Sequence, residues 1–97
     1  MNGSFSNTTS APCWTYILHD GSKMEYQVGY TMNLHERMQQ MNACKGKLVY
    51  LRMFDDFIVA IGHKLFLEQI STPSLRRIVR MHNPGMKDLR ETQSLNH

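Results

Sequence analysis

The residues with chemical capacity crowd one stretch. Across residues 15–38, TYILHDGSKMEYQVGYTMNLHERM, the chain carries Tyr16, Gly29, Tyr30 and Arg37. A phenol can donate or accept a hydrogen bond and a guanidinium carries a fixed positive charge, so the stretch raises the question of an active site. A plainer reading stands beside it, because strand tyrosines are commonly half-buried and a helical arginine is commonly solvated. Arg76 and Arg80 lie four residues apart with Arg77 between them, a spacing that grips phosphates or simply marks a solvated face. His19, His35, His63, His82 and His97 show neither HxxxH nor HxH spacing and read as surface residues rather than metal ligands. Cys13 and Cys44 have no CxxC spacing, so they read as reduced thiols without a bridge.

These residues must be positioned by one small domain, since half of a 97-residue chain could not bury enough apolar surface to offset backbone ordering. The 41% hydrophobic and 20% charged content is that of a globular chain, and its 8 methionines favour an adaptable core. A net charge of +3 and a pI near 9.1 permit phosphate contacts but fall short of a dense basic stripe. The sequence holds no apolar run long enough to span a bilayer, and MNGSFSNTTSAP lacks the basic start and apolar centre of a signal peptide. The expectation is a cytoplasmic protein with no membrane partner.

Residues 1–12 are small and polar and read as a disordered tail. Residues 14–18 and 25–30 are β-favouring around Asp20-Gly21, which predicts a hairpin. Asn33 with Glu36 opens a helix through Leu34, Met38 and Met41 that ends near Asn42, and ACKGK connects it to a strand, LVYLRMF. Asp55 or Asp56 caps a second helix with Phe57, Ile58, Ile61, Leu65 and Ile70 at close to helical period and Gly62 inside it. Thr72-Pro73 opens a third through Leu75, Ile78 and Val79, HNPG closes it, and residues 90–97 read as a frayed tail. Met38, Met41 and Met53 read as core. The order is β-β-α-β-α-α, an α+β fold with a three-stranded antiparallel sheet flanked by helices.

Over residues 13–89 this chain resembles the GIY-YIG nuclease superfamily, in particular its small single-domain bacterial members of the excision-nuclease-like type. WTYIL stands where that family has its first motif, QVGYT where it has the second, and NLHERM where a helix start leads to the catalytic arginine; LVYLRMFDDFIVAI and NPGMKDL resemble its later strand, helix and ending. The resemblance implies a GIY-YIG fold and, in active members, metal-dependent hydrolysis of a DNA phosphodiester, with Mg²⁺ or Mn²⁺ held by a glutamate. Carried over, Tyr16, Gly29, Tyr30 and Arg37 occupy retained catalytic positions.

Two positions depart from that pattern. Gln27 stands where the second motif has its tyrosine, and an amide is no base; Tyr26, next to it, points to the opposite face of a regular strand. Lys64 falls on the position of the metal-binding glutamate, placing a cation where a cation would be held, and Glu68 lies a full turn away. The basic segment that close relatives carry before the third strand is reduced to CKGK. The expectation is therefore a catalytically degenerate domain with no metal or other cofactor, keeping weak DNA binding through Arg37, Lys64 and Arg76, or binding a protein partner of unknown identity. The alternatives are an active divalent-metal endonuclease with rearranged ligands and a pure protein-interaction module.

Overall fold

The uninterrupted apolar run CWTYIL suits a strand covered on both faces, and it forms the middle of the sheet. The computed structural model describes residues 11–41 and 46–94. Strands β1 (Cys13–Asp20), β2 (Glu25–Thr31) and β3 (Lys47–Phe54) form an antiparallel sheet in the order β2-β1-β3. Helix α1 (Leu34–Met41) follows the hairpin, and α2 (Phe57–Gln69), α3 (Thr72–His82) and α4 (Leu89–Ser94) follow β3. The α+β architecture and three-stranded antiparallel sheet are as the sequence implies, with α4 as an added helix.

A β-bulge sorts the core between the two faces of the sheet. Ile17 pairs with Tyr50 and Leu18 with Leu48, so Val49 is the extra residue on β3. This keeps Leu48 beside Tyr16, Leu18 and Met41 on the face that also meets Leu89. Tyr50 joins Ile17, Leu67, Leu75 and Val79 on the other face, under α2 and α3. There Thr15 is fully buried and its hydroxyl donates to the Ala60 carbonyl at 2.9 Å, so a small residue lets α2 sit close to β1.

Several local expectations shift. Asn33 does cap α1, accepting from the Glu36 amide, and Asp56 rather than Asp55 caps α2, accepting from the Ile58 amide. The cap of α3 is Ser71, one residue before the expected threonine, with Pro73 inside the first turn. Met53 is 58% exposed instead of being core. The chain also does not fray at Arg90. Its guanidinium donates to the Met41 and Gly46 carbonyls at 2.8 and 2.9 Å and to both Asp88 oxygens at 2.7–3.2 Å, while Asp88 accepts the Leu48 amide. The last helix is thus bolted to the end of α1 and the start of β3. The expectations for residues 1–10, for the helix end and connection at 42–45 with Cys44, and for 95–97 with His97 lie outside the described residues.

Candidate functional site

Tyr16 and Gly29 are cross-strand partners on β1 and β2. A Cβ added at Gly29 would lie 2.2 Å from the Tyr16 ring and 2.4 Å from its hydroxyl oxygen, so the phenol lies flat across the glycine. The absent side chain is what gives the ring its place. Helix α1, held by its Asn33 cap, brings Arg37 to the same side of the sheet. Tyr16, Leu18, Gln27, Val28, Arg37, Gln40 and Met41 line one shallow hollow of about 340 Å³.

The polar side chains lining this hollow have no protein hydrogen-bond partner among the described residues. Tyr16 is only 7% exposed, and a buried phenol ordinarily finds a hydrogen-bond partner. Among the described residues neither the Tyr16 hydroxyl nor the Arg37 guanidinium has one. A guanidinium and a phenol lining one hollow, together with the Gln27 and Gln40 amides, present donors to an anion.

The remaining expected positions lie elsewhere. Tyr30 pairs with Thr15, and its side chain projects to the opposite face from Tyr16. Burial, and then the neighbouring Cys13 thiol, push its phenol above the usual range. Tyr26 also takes that face, with its ring centroid 4.5 Å from that of His19, so it cannot replace Gln27 in the hollow. Lys64 is not among the hollow's lining residues; its ammonium pairs with Glu68 at 3.1 Å along α2. Glu68 lines a separate hollow of about 470 Å³ with Glu25 and Tyr26. Arg76 sits on α3 with Arg77, Arg80, Pro73 and Met81 around a third depression. Arg37, Lys64 and Arg76 therefore do not line one common hollow.

A divalent metal does not fit the Tyr16–Arg37 hollow. Its lining offers a phenol, two amides and a guanidinium, and no carboxylate. Among the described residues no group of three His, Cys, Asp or Glu side chains is arranged to hold a metal ion. Cys13 is a free, fully buried thiol, pushed up by burial and then by Asp56 and Asp55, which makes it a poor nucleophile.

Sequence spacing missed His63. It is half-buried instead of a surface residue, its Nε2 lies 2.8 Å from the Tyr50 hydroxyl, and its ring stacks near Phe54 and Phe66. Burial, followed by the Arg52 and His82 charges, holds its imidazole below the ordinary value. Only the apolar company of position 63 in α2 signals this in the sequence. No family model matches the chain, and no curated protein or solved structure matches it either. No helix of the described residues is long and apolar enough to cross a membrane.

Proposed function

We propose that this chain is a GIY-YIG-like domain that has lost phosphodiester cleavage and uses the old catalytic face to hold a nucleic-acid phosphate. The observation that carries this reading is the Tyr16 phenol laid over Gly29 in the same hollow as the Arg37 guanidinium, neither with a hydrogen-bond partner among the described residues. Arg37 supplies charge, Tyr16 a directed hydrogen bond, and Gln27 and Gln40 further amide donors. No group in the hollow can take a proton from water at neutral pH or anchor a metal, so binding proceeds without hydrolysis.

A binding surface of a few separate cations implies weak, salt-sensitive affinity. Fluorescence anisotropy with a labelled DNA duplex and single strand should show binding that weakens steadily from low to physiological salt. Arg37→Gln should lower affinity about tenfold or more, in line with loss of a charge-assisted contact. Binding unchanged by Arg37→Gln and by salt would remove the hollow from consideration. Chelator-sensitive nicking of supercoiled plasmid that disappears in Arg37→Gln would instead establish an active endonuclease.

A further inference from the structure

The outer face of α2 has the wrong chemistry for a solvent-facing helix. Phe57, Ile58, Val59, Leu65 and Phe66 are 47–66% exposed, whereas the core takes Ala60 and Leu67 from the other side. Ile58, Gly62 and Leu65 follow one another at intervals of four and three residues and form the outermost stripe. Among the described residues no atom beyond its own helix turn and chain neighbours comes within 4 Å of where a Cβ on Gly62 would stand. Among the described residues nothing calls for glycine there, and glycine weakens a helix interior.

We infer that this face pairs with the same face of a second copy of the chain, the two α2 helices crossing at Gly62. The position of the notch is what selects a second copy. Gly62 lies one residue from the midpoint of the 13-residue helix, so a two-fold axis through it overlays each helix along its whole length. Ile58 of one copy then meets Leu65 and Phe66 of the other, as an isologous contact requires. No charged side chain lies on the stripe to repel its own image. Phe57 and Phe66 lie on opposite flanks of the stripe, so the exposed apolar side chains would bury at most about 1,000 Å² for the pair, the lower bound of a specific interface. Half of that, one copy's share, is also at the upper end of what monomers leave open.

Sedimentation equilibrium of the full chain should give a monomer–dimer equilibrium, with twice the monomer mass dominating at high micromolar concentration. Gly62→Leu, which fills the notch, and Leu65→Lys, which charges the stripe, should each weaken dimerisation at least tenfold with unchanged circular dichroism. In a Cys44→Ser background, Gly62→Cys should cross-link between copies under copper–phenanthroline oxidation, whereas Gln39→Cys on exposed α1 should not. A wild-type chain that stays monomeric throughout overturns the proposal. So does a dimer indifferent to both substitutions, or failure of Gly62→Cys to cross-link more than Gln39→Cys.

Discussion

At the scale of single residues, the hollow depends on a side chain that is missing. Gly29→Ala would drive a methyl into the tip of the Tyr16 ring, which must then swing out of its buried place toward the hollow. Urea denaturation should show a loss of about 1–3 kcal/mol. Tyr16→Phe keeps the ring over the glycine and removes only an unpartnered hydroxyl, so stability should change by less than about 1 kcal/mol while DNA affinity falls. A Tyr16→Phe variant that loses several kcal/mol would mean the hydroxyl has a structural partner. His63 gives the pH dependence. Its folded-state value lies below 6.5, so the unfolded chain binds the extra proton first and stability should fall as pH drops below about 6.5. His63→Gln should flatten this part of the stability–pH curve. The Tyr16, Gly29 and Arg37 spacing was readable because strand alternation and a capped helix fix direction locally. Tyr30 followed the same alternation to the other face, which the list of motif residues alone did not separate.

At the scale of elements, the most informative contact is one that local periodicity cannot encode. Arg90 reaches carbonyls on either side of the segment before β3, 44 and 49 residues away in sequence, and Asn83 donates to the Val49 carbonyl at 3.0 Å. A polar C-terminal stretch reads as a frayed end until those partners are seen. Arg90→Ala should cost about 2–3 kcal/mol, since it strips charge-assisted bonds from a largely buried carboxylate. Native-state hydrogen exchange should locate the loss at α4 and the Leu48 amide. Burial opposes the Asp88 charge, but the Arg90 and Leu48 hydrogen bonds outweigh it and hold the carboxyl below 3.8. That contribution is present at neutral pH and disappears only as pH falls through the lowered value. Helix α2 is the converse case. Its period was legible and its inward face was not, because a helix apolar on every side leaves periodicity without a direction. The Thr15 to Ala60 contact decided which side faces the sheet.

At the scale of the whole molecule, the two surfaces are separable by chemistry. The Tyr16–Arg37 hollow lies on the α1 side of the sheet and offers donors to an anion, while the apolar α2 face lies on the other side. A net charge of +3 would give only modest long-range attraction to nucleic acid, so the binding proposed above would rest on contacts in the hollow. The most direct test is a two-dimensional amide NMR titration of the labelled protein, first with Mg²⁺ and then with a short DNA oligonucleotide. No specific shifts are expected with Mg²⁺, followed by salt-sensitive, oligonucleotide-dependent shifts centred on Tyr16, Gln27, Gly29 and Arg37. Saturable Mg²⁺ shifts at those amides, or oligonucleotide shifts that bypass them, would contradict the proposed binding.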